Sequence, residues 1–243
     1  MRTAIALRIQ RPCISVALMR PVPQSIVDQS KHLFWSHRVR LADQFGLSEQ
    51  ISAPTKLLPE FLFFGSTNVG KSSLLTMLMS PPRRHEKKNS AKNDLPRISK
   101  RAGFTATMSI YTVGGLMRLC DTPGYGFKST ANQGDVATKY LDTRAEAIRN
   151  AYVLLQPKRG LSVQDAELCQ VLNHYGLPFK FVITKSDLGP NVEEIEKNIR
   201  DLCLDLRVPP MDRTFITSTK YNTGVDELRA DLLLSSGILE ASN

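Results

Sequence analysis

From Pro59 onward the chain alternates short apolar runs with stretches whose apolar residues recur at helical spacing. The runs at 61–64, 108–113, 116–120, 151–155, 179–184 and 213–217 predict six strands. The stretches at 71–79, 138–150, 164–175, 192–206 and 225–234 predict the helices between them. Strands and helices in this order build βαβ units, in which each helix crosses over a parallel sheet. The expected fold is therefore α/β: a mostly parallel six-stranded sheet with helices on both faces. No period repeats along the chain.

Outside that pattern lie three segments of different character. Residues 1–27 carry Arg2, Arg8, Arg11 and Arg20 and no acid before Asp28, interleaved with apolar and hydroxyl residues. Such a composition predicts an organelle-targeting segment; a secretory signal is disfavoured because Arg8 interrupts the apolar stretch. Residues 28–53, with the single tryptophan Trp35, read as a short helical arm, and 54–240 as the main domain. Inside that domain, residues 81–101 hold eight Lys and Arg against two acids, too polar to fold alone.

Charge sharpens this division. The net charge is +9, with 32 Lys and Arg against 23 Asp and Glu, and the excess falls in the first hundred residues. A basic segment of this density suits the phosphates of an RNA. The 243 residues allow one core with some chain to spare. No apolar run approaches the roughly 20 residues of a membrane-spanning helix. The four cysteines, Cys13, Cys120, Cys169 and Cys203, show no paired spacing and predict reduced thiols, neither a disulfide framework nor a zinc site.

The first strand runs directly into Gly65-Ser66-Thr67-Asn68-Val69-Gly70-Lys71-Ser72-Ser73. This is a G-x-x-x-x-G-K-[ST] loop between a strand and a helix, the setting that a phosphate cradle requires. The glycines let successive N–H groups point inward, and the following helix adds the positive end of its dipole. Lys71 is placed to reach the β- and γ-phosphates, and the Ser72 hydroxyl to ligate Mg2+. Farther along, Asp121-Thr-Pro-Gly124 closes an apolar strand. Asp-x-x-Gly by itself is an ordinary turn; after a phosphate loop, Asp121 is placed to hold Mg2+ and Gly124 to aim its N–H at a γ-phosphate. Thr105 is the candidate for a second Mg2+ hydroxyl.

The base is read by Thr184-Lys185-Ser-Asp187. A carboxylate fixed behind a buried strand accepts two hydrogen bonds from guanine N1–H and its exocyclic amine, whereas adenine presents a lone pair there. GTP and GDP are thus expected over ATP and ADP. The Lys185 stem can lie along the base, and Ser218-Thr219-Lys220, after the last strand, can present a backbone N–H to guanine O6.

Taken together, Leu58-Pro-Glu-Phe-Leu-Phe-Phe-Gly-Ser-Thr-Asn-Val-Gly-Lys-Ser-Ser73, Asp121-Thr-Pro-Gly-Tyr-Gly126, Thr184-Lys-Ser-Asp-Leu188 and Gly224-Val-Asp-Glu-Leu-Arg229 resemble the EngB (YihA) GTPases, over residues 54 to 236. The resemblance implies the three-layer P-loop GTPase fold and a monomer that binds GTP and Mg2+ and acts on the large ribosomal subunit, through its rRNA and assembly intermediates. With the basic leader it implies a mitochondrial (matrix) member; another organelle or the cytoplasm is the alternative. Three stretches depart from the family: Ala102-Gly-Phe-Thr105 where Pro-Gly-(Lys/Arg)-Thr is usual, an insertion at 81–92, and Gln156-Pro-Lys158 in place of an acid-containing stretch.

Phosphoryl transfer needs charge neutralisation and a positioned water. The residue after Asp-x-x-Gly is Tyr125 and not a glutamine, so slow turnover without a ribosomal partner is expected. Asn68 resembles the asparagine with which K+-dependent members of the superfamily hold a monovalent cation beside the phosphates; an asparagine in a turn can also serve the loop alone. Lys71, Asn68, Thr105 and Gly124 are the candidate catalytic groups. Two other classes stay open at this point: a GTP-dependent, RNA-binding scaffold with negligible hydrolysis, and a P-loop ATPase or kinase.

Overall fold

The computed structural model describes residues 22–46, 51, 57–80, 107–125, 132–189, 192–208 and 214–238. The targeting segment up to residue 21, the basic insert at 81–101 and Thr105 lie outside the described residues. In chain order the elements are α1 (Gln24–Ser36), β1 (Val39–Phe45), β2 (Glu60–Gly65), α2 (Lys71–Met79), β3 (Met108–Val113), β4 (Met117–Asp121), α3 (Asn132–Arg144), β5 (Ile148–Leu155), α4 (Val163–His174), β6 (Phe179–Ile183), α5 (Val192–Asp205), β7 (Phe215–Ile216) and α6 (Val225–Ser236).

The strands form one sheet in the order β1-β3-β4-β2-β5-β6-β7. β3 runs antiparallel to both of its neighbours, β1 and β4, and β4, β2, β5, β6 and β7 run parallel. Side chains alternate across the pleat: Phe61 and Phe63 pack on one face with Leu33 and Phe34 of α1, Leu74, Leu75 and Leu78 of α2 and Leu228 and Leu232 of α6. Leu62 and Phe64 pack on the other with Tyr140 and Leu141 of α3, Cys169 and Leu172 of α4 and Ile195 and Ile199 of α5. The result is the expected three layers. β2 and β5, central and covered on both faces, are buried along almost their whole length, as strands of a covered parallel sheet must be.

The sheet has a seventh strand where six were expected. Val39–Phe45 falls in the segment expected to form a helical arm, but only α1 is helical; β1 pairs antiparallel with β3, from Val39 opposite Val113 to Phe45 opposite Met108. An edge strand leaves little hydrophobic signature, and in β1 only its first and last residues are buried. The helix α1 itself starts at Gln24, inside the segment assigned to targeting, and buries Val27, Leu33 and Phe34.

One helix is displaced from its expected place. In place of a helix at 138–150, α3 ends at Arg144 and β5 begins at Ile148. Glu60 explains the early stop. Its carboxylate, fully buried, accepts from Arg144 Nη1 at 2.9 Å, Arg118 Nη1 at 2.8 Å and the Tyr140 hydroxyl at 2.5 Å. Pinning Arg144 at the start of β2 brings Ile148 opposite Glu60 as the next paired residue. A buried carboxylate needs such partners, because unpaired it would cost several kcal/mol.

Candidate functional site

The site candidates gather at the carboxyl edge of the parallel strands, where α/β sheets open a crevice for ligands. β2 delivers Gly65 into the loop 66–70, and α2 begins at Lys71. Gly70 caps that helix with φ 110°, a left-handed geometry that only glycine enters without strain. Asn68 has φ 65° and is exposed; asparagine is among the few other residues at home there. The loop also folds on itself, Val69 N donating to Ser66 O at 3.1 Å.

β4, beside β2, carries Asp121 to the mouth of this loop. Its Oδ1 is in close contact with Lys71 Nζ, and its Oδ2 accepts from Ser72 Oγ at 3.1 Å. Lys71, Ser72 and Asp121 thus meet, as the motif spacing predicts. Among the described residues no three His, Cys, Asp or Glu side chains converge as a metal cage. The donors at hand are one carboxylate and one hydroxyl, hard oxygen ligands of the kind that share Mg2+ with substrate phosphates. The residues therefore fit a magnesium–nucleotide site. Gly124 lies against the loop: a Cβ placed on it would stand 3.3 Å from Thr67 N.

At the other end of the rim, the turn after β6 holds Lys185 at φ 51° and Asp187 in a single 3-10 turn, Ser186–Leu188. The Lys185 ammonium donates to Asn68 O at 2.6 Å. The Thr184 hydroxyl sits 2.6 Å from Val69 O and 3.1 Å from Leu155 O, so this turn is tied directly to the phosphate loop. Asp187 Oδ1 accepts from Ser218 Oγ at 2.7 Å. That bond, with a backbone N–H and the nearby Lys220 and Lys185 charges, holds the Asp187 carboxyl below its usual range against the opposing effect of desolvation. Ser218 and Thr223 close a short bridge around Thr219 and Lys220. The carboxylate is exposed and ionised, free to accept from a ligand.

The structure brings together every described residue of the predicted set: the loop 65–73, Asp121, Gly124, Thr184, Lys185, Asp187 and 218–220. Two features escaped the sequence reading. One is the reach of Thr184 into the loop. The other is Tyr125, whose hydroxyl donates to Asp165 Oδ1 of α4 at 2.6 Å. Ser162 and Asp165 form a capping box at the start of α4, and Ser-x-x-Asp ahead of an apolar run is a signal that could have located the acid.

Comparison with known proteins agrees with this arrangement. Residues 60–185, just over half of the chain, match the model of the family described as "50S ribosome-binding GTPase". MIOREX complex component 8 of Saccharomyces cerevisiae is 33% identical over 188 residues, 75% of this chain and 58% of that protein. The probable GTP-binding protein EngB of Caulobacter vibrioides is 31% identical over 188 residues, 74% of this chain and 76% of that protein. A crystal structure of a probable GTP-binding protein EngB superposes with a TM-score of 0.53 at 21% identity, covering 72% of this chain and 97% of that one. With the strand–loop–helix cradle and Thr184-Lys185-Ser186-Asp187 at the two ends of one rim, the chain belongs to the EngB-type GTPases of the 50S ribosome-binding GTPase family.

Proposed function

We propose that this chain binds GTP with Mg2+, hydrolyses it slowly when alone, and acts in the assembly of the large ribosomal subunit of mitochondria, in the matrix. The observation that carries the reading is the pairing, on one rim, of a phosphate loop with an exposed, ionised Asp187. Family membership sets aside the ATPase or small-molecule kinase, which would have no use for that carboxylate.

Each group has a role in this reading. The N–H groups of 66–73 and the start of α2 hold the phosphates, with Lys71 as the point charge on them. Asp187 accepts from guanine N1–H and the exocyclic amine, Lys185 covers the base, and Ser218, Thr219 and Lys220 line its O6 edge. Ser72 and Asp121 hold Mg2+, with Thr105, which lies outside the described residues, as the further ligand. Mg2+ when bound neutralises charge on the phosphate oxygens. Gly124 offers its N–H to the third phosphate.

Slow turnover is supported by Tyr125. Its hydroxyl is committed to Asp165, and a water beside the third phosphate gains no acceptor from it. The same observation favours a second reading, a GTP-dependent scaffold with negligible hydrolysis. Asn68 is proposed to hold K+ beside the phosphates. The basic insert, eight cations within 81–101, is proposed to meet rRNA phosphates, and the arginine-rich residues ahead of α1 to direct import. The yeast relative, by its name a component of a larger complex, is in keeping with work as part of an assembly; off the ribosome the chain is proposed to be a monomer.

Titration with GTP and ATP tests the core of the reading. A preference for GTP on the order of 10³ or more is expected of a site whose carboxylate must be hydrogen-bonded by the base. Equal binding of ATP would overturn it. A single-turnover assay with and without purified large subunits then separates enzyme from scaffold: acceleration by the subunit supports the enzyme, and no hydrolysis in either supports the scaffold.

A further inference from the structure

Tyr125 follows Gly124 and is held from three sides. Its N donates to Gly65 O at 3.4 Å, and its O accepts from Thr67 N at 3.0 Å, so that it lies beside Ser66 as a one-residue parallel bridge. Its hydroxyl donates to Asp165 Oδ1 at 2.6 Å. Asp165, only 2% exposed, is fixed in turn: its Oδ2 accepts from Ser162 N at 2.8 Å and Ser162 Oγ at 2.6 Å. One oxygen of a buried carboxylate thus belongs to the cap of α4 and the other to Tyr125.

The ring does not hold this position by packing alone. It packs against the core on one side and on another borders an apolar cavity lined also by Phe64, Pro123, Thr138, Leu141 and Leu168, so the hydroxyl bond is what fixes the ring's direction on that side. Burial and the Asp165 charge keep that hydroxyl protonated and donating. Gly124 is one peptide away and pressed against Thr67, so a shift of Tyr125 moves the N–H of Gly124 relative to the phosphate loop.

We propose that Asp165, acting through Tyr125, is a positioning residue for Gly124, and so sets how strongly the site prefers a guanosine triphosphate to a diphosphate. Only the triphosphate reaches Gly124, and a bond that holds this N–H in place is felt by that nucleotide alone. The inference rests on the guanine-nucleotide reading above.

The test is the affinity of the full chain, with Mg2+, for GDP and for a non-hydrolysable GTP analogue. Tyr125→Phe keeps the ring and removes the hydroxyl. The analogue should bind about fivefold more weakly, the equivalent of one ordinary hydrogen bond, and GDP within about twofold of wild type. Ser162→Ala removes one of the two donors to Asp165 Oδ2 but leaves Ser162 N on that oxygen and Oδ1 on Tyr125; it should lower Tm and leave the ratio of the two affinities unchanged. In an Asp165→Ala background, Tyr125→Phe should have no further effect on that ratio; should Asp165→Ala fail to fold, Tyr125→Phe against Ser162→Ala decides. An unchanged ratio in Tyr125→Phe, or equal weakening of both nucleotides, overturns the proposal. Wild type that binds neither nucleotide overturns the guanine reading itself.

Discussion

Arg229, on α6, donates from Nε to the carbonyl of Leu78 at 2.9 Å, reaching into the last turn of α2. The same guanidinium donates from Nη2 to Met77 O at 2.5 Å and lies 3.4 Å from Ser80 O, while its Nη1 meets Asp226 Oδ1 at 2.5 Å. The last carbonyls of a helix have no partner within it, and one planar fork supplies several. Above it lies the ring of Trp35, 5.5 Å from the guanidinium carbon, and Lys31 of α1 pairs with Asp226 at 2.8 Å. The helix that follows the phosphate loop, the last helix and the N-terminal helix are thus knotted at one side chain.

Replacing Arg229 by alanine should therefore destabilise the fold by about 3 kcal/mol, since buried carbonyls lose their donors. In a domain of this size that is a fall in Tm of roughly 10 °C. Arg229→Lys should recover less than half, a single ammonium being unable to span the three carbonyls. Thermal unfolding followed by circular dichroism checks both; a Tm within about 2 °C of wild type for Arg229→Ala would show that the clasp carries no weight.

Removal of residues 1–21, which keeps Pro23 as the cap of α1, should leave Tm and nucleotide binding unchanged, whereas removal of 1–37 should not. The second cut strips Leu33 and Phe34 from the cluster they share with α6, removes the buried Val27 and takes away His37, whose ring packs against Gly114. At roughly 1.5–3 kcal/mol for each large side chain, the loss is about 5 kcal/mol, a large part of the stability of an ordinary domain. Soluble yield, dye binding to exposed apolar surface and Tm distinguish the two truncations.

The Asp187 carboxyl should titrate below the usual carboxylate range, because the Ser218 hydroxyl, a backbone N–H and the two lysines favour its charged form. The sign follows from the depressed value. The interaction is present at neutral pH and is lost only as pH falls through that low pKa, so Asp187 keeps its charge between pH 8 and 5 and guanine affinity does not change on its account in that window. Carbon-detected NMR of the Asp187 carboxyl reads the midpoint directly. Ser218→Ala should raise it, and an unchanged midpoint in that variant would refute the assignment.

Asn68 is open to a comparison of salts. GTP hydrolysis should be faster in K+ than in Na+, and the difference should vanish in Asn68→Gly, which keeps the left-handed backbone seen at φ 65° and removes only the side chain. Equal rates in the two salts for wild type would leave Asn68 with a conformational role alone.

The phosphate loop, its helix and the base-reading turn were legible because their chemistry is local: Lys71 opens α2 and Thr184-Lys185-Ser-Asp187 follows β6, as their spacing required. What escaped was set by distant partners. β1 has almost no apolar alternation, since its middle faces solvent, and only its pairing with β3 makes it a strand. Arg144 stops α3 because Glu60, 84 residues earlier in the chain, holds it. Tyr125 could be identified as a missing glutamine but not as a partner of Asp165, 40 residues later. Local patterns report backbone preference and burial; which buried polar groups find one another is decided by the assembled sheet.

The outermost strands have a consequence for handling the molecule. β1 carries Arg40, Asp43 and an irregularity between Leu41 and Asp43, and β7 on the opposite flank is only two residues long. A kinked, charged ribbon on one side and a stub on the other offer a visiting polypeptide no straight rail along which to hydrogen-bond. These two borders are poor seeds for fibrils, which protects a chain whose central strands are among its most apolar.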